Sequence, residues 1–218
     1  MSGEHVTGGP AQVPTRDRWD VLSVGYDRQL WLERAAVRTA VALMSPVPHE
    51  CVLDVGTGTG EVLRALARHR HRPRAVLGID RSRGMLARVG GLPDGWSLAL
   101  ADARSLPAPD DAYDAVCASY VLHLLDASEL AAVLSEIRRV LRPGGRLVTV
   151  TPAIPDRGLS RPLASGLDWL ARRWPKRFDG LRALDPTTVL TGAGFTVITT
   201  RLSLRGYPSI VVLSRRAT

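Results

Sequence analysis

Residues Asp54-Val55-Gly56-Thr57-Gly58-Thr59-Gly60-Glu61 place three alternating glycines behind an apolar run and ahead of a helical one. Glycines at that spacing let a ligand approach the backbone with no Cβ in the way. A nucleotide-type ligand belongs at such a turn, beyond the carboxyl ends of the strands. The pattern departs from the dinucleotide fingerprint G-x-G-x-x-G, because the third glycine comes one residue early and Glu61 stands in its place. Asp54, two residues before the first glycine, suits a cationic ligand better than a pyrophosphate. Asp80 ends a second apolar run, where a carboxylate can accept bonds from both hydroxyls of a ribose. Asp102 follows a third run, where side chain and backbone can read the amino group and ring nitrogen of an adenine. Any one of these aspartates would equally serve as a helix cap or a solvated turn residue. Three at successive strand ends, beside a glycine loop, exceed what packing requires.

The elements that must position these residues follow from hydrophobic periodicity. Arg16 to Met44 repeats apolar residues at helical spacing, with Leu32, Ala36, Ala40 and Leu43 on one face, and Ser45-Pro46-Val47-Pro48 stops it. Strands are predicted at Cys51–Val55, Ala75–Asp80, Trp96–Leu100, Tyr113–Ser119 and Arg146–Thr151, with helices at Gly60–His69 and Ser82–Val89. Asp126 and Glu129 form a capping box ahead of Leu130, Val133, Leu134, Ile137 and Leu141, and Pro143-Gly144-Gly145 closes that helix. Alternating strands and helices imply parallel pairing with right-handed crossovers. Phe195–Leu202 and Tyr207–Leu213, joined through Arg205-Gly206, predict an antiparallel hairpin at the end of the sheet. The expected fold is therefore α/β, doubly wound, with a mostly parallel seven-stranded sheet.

Several blocks together resemble a known family. Asp54 to Gly60, Gly78-Ile79-Asp80, Asp102-Ala103-Arg104-Ser105-Leu106-Pro107, Tyr113-Asp114-Ala115-Val116 and Leu141-Arg142-Pro143-Gly144-Gly145 look like class I S-adenosylmethionine-dependent methyltransferases. The spacing is most similar to the branch holding quinone C-methyltransferases and many small-molecule methyltransferases. The resemblance implies a Rossmann-like methyltransferase fold, S-adenosylmethionine as cofactor, and roles by position. Gly56, Thr57, Gly58 and Gly60 would pass under the methionine part, with Asp54 near its ammonium group. Asp80 would hold the ribose, Arg81 and Met85 would flank the adenosine, and Asp102 and Ala103 would contact the adenine. Ser119 would lie near the methionine end. Tyr26, in a Tyr-Asp pair, would close over the cofactor, or else pack as a half-buried aromatic. His123 stands where members of the family receive substrate, and its ordinary pKa suits general-base work if the acceptor must lose a proton. No metal is implied.

The substrate side is expected from an N-terminal helical cap (16–48) and a lid segment (152–182). In the latter Leu159, Leu163, Leu167, Leu170 and Trp174 oppose Arg172, Arg173, Lys176 and Arg177. That amphipathic stretch could cover an apolar acceptor, touch a membrane or partner, or pack on the core. Residues 1–15 read as a flexible lead before a single domain (16–218) and lack the apolar core of a signal peptide, so a cytoplasmic location is expected. Cys51 and Cys117 sit in apolar runs and are expected to be small buried hydrophobes rather than a disulfide or metal pair.

With 218 residues, 45% of them apolar and 23% charged, the chain can bury one sizeable core, and disordered or fibrous classes are excluded. The net charge is +8, from 28 Arg and one Lys against 21 acids. It is unevenly spread. Residues 62–79 hold five Arg and no acid, 157–182 seven basic and two acidic residues, and 186–218 four Arg and no acid. The remainder, with every residue assigned to the cofactor, has 13 basic and 19 acidic residues, which suits a cationic sulfonium ligand. Methylation of RNA is disfavoured: Ala118-Ser119-Tyr120-Val121 stands where base N-methylating enzymes carry an Asn/Asp-Pro-Pro-Tyr-type motif. A non-catalytic cofactor-binding scaffold is the remaining alternative. The expected acceptor is a small apolar or aromatic metabolite.

Overall fold

A computed structural model describes residues 30–153, 184 and 186–217. In chain order its elements are α1 (Leu30–Met44), β1 (Cys51–Val55), α2 (Glu61–Ala67), β2 (Ala75–Asp80), α3 (Arg83–Leu86), β3 (Trp96–Leu100), β4 (Tyr113–Ser119), a 3-10 turn (Leu122–Leu124), α4 (Ala127–Val140), β5 (Leu141–Pro152), α5 (Pro186–Gly192), β6 (Phe195–Ser203) and β7 (Ser209–Arg216). The strands form one sheet in the order β3-β2-β1-β4-β5-β7-β6. The first five pair in parallel and β7 runs antiparallel between β5 and β6, as the sequence predicts. The chain order reverses between β1 and β4, and a crevice opens there at the carboxyl ends of the strands.

Alternation along each strand divides the core into two layers. Leu53 and Val55 of β1 and Val116 and Ala118 of β4 pack under α4 through Leu130, Val133, Leu134 and Ile137. Val52 and the β4 residues Ala115 and Cys117 pack under α1 and α2 through Val37, Val41, Met44, Leu63 and Leu66. By the same period of two, Asp54 belongs to the α1–α2 layer, where it is wholly buried.

α1 buries Ala36 and Ala40 of its predicted face but centres on a neighbouring stripe. Its buried residues are Ala36, Val37, Ala40, Val41 and Met44, while Leu32 and Leu43 are only half-buried. Helical spacing leaves two adjacent stripes to choose between, and contact with α2, β5 and β7 decides. The helix is held at both ends. Arg146 donates from Nε to the Met44 carbonyl (2.9 Å) and from Nη2 to both oxygens of buried Glu50 (2.6 and 2.7 Å). At the other end the Tyr207 N–H donates to the Leu32 carbonyl (3.0 Å). Gly206, at φ 84°, comes so close that a Cβ there would lie 2.1 Å from that carbonyl oxygen, so no side chain fits.

Other boundaries shift for local reasons. α2 is shorter than Gly60–His69, and α3 spans only Arg83–Leu86, with the Ser82 hydroxyl capping Met85 N–H (3.1 Å). Arg142-Pro143-Gly144-Gly145 ends α4 but does not separate it from the strand. β5 begins at Leu141 opposite Tyr113, and pairing resumes with Arg146 opposite Ala115, so those four residues bulge within it. The capping box is present, Asp126 accepting from Ser128 and Glu129 N–H (both 2.9 Å). Both cysteines are free; Cys117 is buried, but Cys51 is only half-buried and accepts from Arg74 at 3.3 Å. Tyr26, the 1–15 lead and the amphipathic stretch from Leu159 to Trp174 lie outside the described residues, as does most of the 152–182 segment. Among the described residues no helix is long and apolar enough to cross a membrane.

Candidate cofactor site

The glycine loop is built around two carboxylates. Asp80, last in β2, accepts the Gly58 N–H at Oδ2 (2.8 Å) and the Ser82 N–H at Oδ1 (2.9 Å), tying the loop after β1 to the start of α3. Asp54, fourth in β1, accepts from the Thr57 hydroxyl at 2.6 Å, and the Thr57 N–H donates to the Ile79 carbonyl at 2.8 Å. Gly58 has φ 54° and open space where a Cβ would stand, so its backbone borders the crevice directly.

A cavity of about 110 Å³ occupies the crevice. Gly56, Gly58, Asp80, Arg81, Met85, Asp102, Ala103 and Ser119 all line it, so eight of the twelve residues assigned to the cofactor converge there. Thr57 lines a smaller adjoining chamber of about 30 Å³, which shares Gly56, Gly58 and Ser119 with the first. Gly60 lines neither and caps α2 instead, its φ of 89° turning the chain into the helix. Asp54 lies beneath Thr57.

Three buried polar atoms at or under these walls have no hydrogen-bond partner among the described residues: Asp54 Oδ1, Thr59 Oγ1 and Ser119 Oγ. Buried groups of this kind ordinarily find one. Burial pushes the Asp54 carboxyl up to about 7, opposed by the Thr57 hydrogen bond and reinforced by the nearby charge of Asp80. An ammonium group would supply the missing partner and return Asp54 to its charged form. Together with the open approach at Gly58, the orphaned oxygens fit the α-ammonium group of S-adenosylmethionine.

Asp102 is arranged differently from the expectation. Arg104 wraps its carboxylate, donating from Nε (3.0 and 3.1 Å), Nη2 (2.6 Å) and its own backbone N–H (2.9 Å). These bonds hold Asp102 below the usual carboxylate range. They occupy most of its acceptor sites, which leaves the backbone around Asp102 and Ala103 as open to a ligand as the carboxylate itself. Arg104 also reaches Glu129 (3.3 Å), and both line the cavity. Arg139 of α4 fixes the following loop, bonding the Leu106 and Ala108 carbonyls at 3.2 and 2.8 Å while Glu136 accepts the Leu106 N–H at 2.8 Å.

His123 is not brought to the site. It is buried in the 3-10 turn at 6% exposure, sets its ring edge-on to Tyr120 at 6.3 Å, and is absent from the described lining of both cavities. The apolar wall formed by Val121, Leu124, Leu125 and Val133 carries no chemical signature in the sequence. Arg104 was visible only as part of the Asp102 block, and Glu33 on α1 only as a helix residue.

The family description "Methyltransferase domain" matches residues 52–145, which include every loop just described except α1 and the C-terminal hairpin. A demethylmenaquinone methyltransferase of Thermobifida fusca is 34% identical over 172 residues, covering 72% of this chain and 68% of that protein. A ubiquinone/menaquinone biosynthesis C-methyltransferase of Geobacter sulfurreducens is 35% identical over 152 residues, 66% of this chain and 56% of that one. The chain thus spans little more than half the length of several of the curated relatives it matches. Among solved structures, an S-adenosylmethionine-dependent methyltransferase from Mesorhizobium loti superposes with TM-score 0.59 at 25% identity, over 82% of this chain and 96% of its own. A putative methyltransferase from Bacillus halodurans shares the fold at TM-score 0.66 and 18% identity, over 84% and 99%. The chain belongs to the class I S-adenosylmethionine-dependent methyltransferases, in the branch that contains the quinone C-methyltransferases.

Proposed function

We propose that the protein transfers the methyl group of S-adenosylmethionine to a small apolar or aromatic acceptor of the quinol kind. The observation that carries the reading is the meeting of Gly56, Gly58, Asp80, Asp102 and Ser119 at one cavity, above the buried, half-satisfied carboxyl of Asp54. The names of the relatives support the acceptor class. Bound S-adenosylmethionine supplies an activated sulfonium methyl: the new bond forms to the acceptor while the S–CH3 pair stays on sulfur, and the acceptor's proton leaves to water. The chain's own task is alignment, which proximity alone can make worth several kcal/mol. In this assignment Asp80 holds the ribose and fixes Gly58, Arg81 and Met85 flank the adenosine, and Asp102 with Ala103 borders the adenine. Gly56, Gly58 and Ser119 follow the methionine part, Thr57 acts through Asp54, and Tyr26 closes over the cofactor. A peripheral membrane contact through residues 159–177 would bring the protein to a lipid-soluble acceptor.

The test is calorimetric titration of the full chain with S-adenosylhomocysteine, followed by transfer of labelled methyl from S-adenosylmethionine to a short-chain hydroquinone. Binding in the micromolar range is expected, weakened at least tenfold by Asp80→Ala because the ribose contact and the loop anchor go together. No binding by the unmodified chain would end the cofactor reading. Binding without transfer to any hydroquinone would end the acceptor reading, and transfer to RNA would replace it.

A further inference from the structure

The smaller chamber contains a carboxylate that the glycine-loop blocks do not account for. Glu33 lines it, together with Thr57, Thr59 and Glu61. Glu33 stands in the first turn of α1, one helical turn before Val37, which is 2% exposed and lines the same chamber. The apolar residues Val37, Val41 and Met44 continue that face into the core, so the helix turns Glu33 inward by its own geometry. A carboxylate at the head of a core-facing stripe breaks the helix's hydrophobic pattern, as functional positions tend to. The first turn is also held in place, because Gly206 and the Tyr207 N–H close on the Leu32 carbonyl beside it.

The chamber's other features point to a ligand group. Thr59 is 2% exposed and lines the chamber, and its hydroxyl has no partner. The unpartnered oxygen of fully buried Asp54 lies on the same side of the sheet, beneath Thr57. Glu61 serves another purpose: it pairs with Arg64 at 2.8 Å and with Arg34 of α1 at 3.3 Å, joining the two helices. At about 30 Å³ against about 110 Å³ for the neighbouring cavity, the chamber suits a compact polar group.

We propose that Glu33 is a specificity-determining residue of the cofactor site, its carboxylate adding to that of Asp54 a second counter-charge for the α-ammonium at the amino-acid end of S-adenosylmethionine. The assignment rests on the cofactor reading above and extends it to α1. A helix outside the glycine-loop blocks then distinguishes the intact cofactor from adenosine derivatives that lack the amino-acid end.

Calorimetry with two probes tests this: S-adenosylhomocysteine, and 5′-methylthioadenosine, which has the nucleoside and thioether but no amino-acid end. Glu33→Gln is expected to weaken S-adenosylhomocysteine about tenfold or more, the scale of one charge-assisted hydrogen bond, while 5′-methylthioadenosine changes less than about twofold. Glu33→Asp, retaining the charge on a shorter arm, recovers part of the loss. Equal weakening of both probes, or unchanged S-adenosylhomocysteine affinity in folded Glu33→Gln, overturns the assignment of Glu33 alone. If the unmodified chain binds neither probe, the cofactor reading fails and the assignment falls with it.

Discussion

Asp54→Asn separates what the glycine loop needs for folding from what it needs for binding. The Asp54 side chain is 0% exposed, one of its oxygens is unpartnered, and burial has pushed its carboxyl up to about 7. In the unfolded chain it returns to an ordinary carboxylate near 3.8. Between those values the folded protein keeps a proton that the unfolded chain has released, so stability falls as pH rises from about 4 to 7. Above pH 7 the full penalty applies, on the order of 4 kcal/mol from a difference of about three decades in proton affinity. Asparagine cannot ionise and escapes it. Urea unfolding should therefore show Asp54→Asn gaining on the unmodified apo protein by about 2–3 kcal/mol between pH 5 and pH 8. The acids held low by their partners, Asp102, Asp126 and Glu136, lose their contribution only as pH falls through their depressed range, outside this window. Binding should move in the opposite direction. A ligand ammonium group favours ionised Asp54, so S-adenosylhomocysteine should release a proton below pH 7 and bind more tightly as pH rises toward 7. In Asp54→Asn the affinity should be lower and its pH dependence lost. Parallel stability curves for the two proteins, with binding independent of pH below 7, would refute the account of Asp54.

Two further substitutions examine the frame and the histidine. Arg146→Met strands Glu50, which is 5% exposed, and should cost about 3–5 kcal/mol by chemical denaturation; Glu50→Leu in the same chain should restore much of it. His123→Ala should leave turnover within a few fold while lowering stability on the order of 1–3 kcal/mol, because the ring is buried behind Tyr120 and lines neither cavity. A loss of turnover beyond about a hundredfold with an unchanged melting temperature would return His123 to the role of general base.

The strand boundaries of β1 to β4 and the parallel pairing were legible because the period-two and apolar-run signals are local, and β1 and β2 end at a glycine and a carboxylate that packing alone would not place there. The alternate glycines and Asp54, Asp80 and Asp102 were legible for the same reason: their spacing is fixed by the chain itself. The buried stripe of α1 was legible only at Ala36 and Ala40, because the Leu32–Leu43 and Val37–Met44 stripes are both helical faces and the choice depends on β7 and the Gly206 turn, more than 150 residues away. Nor could sequence show that Arg104 claims the Asp102 carboxylate, that His123 turns into the core, or that Glu33 meets the glycine loop.

By itself, then, the sequence determined the order of elements and the residue types at each strand end, since both depend on neighbours within a few positions. Only the tertiary structure decided which of those residues share a cavity, which carboxyl is stripped of water and which is wrapped by a guanidinium. Those outcomes depend on desolvation and on contacts between distant segments, such as α1 against the loop after β1, which no local pattern encodes.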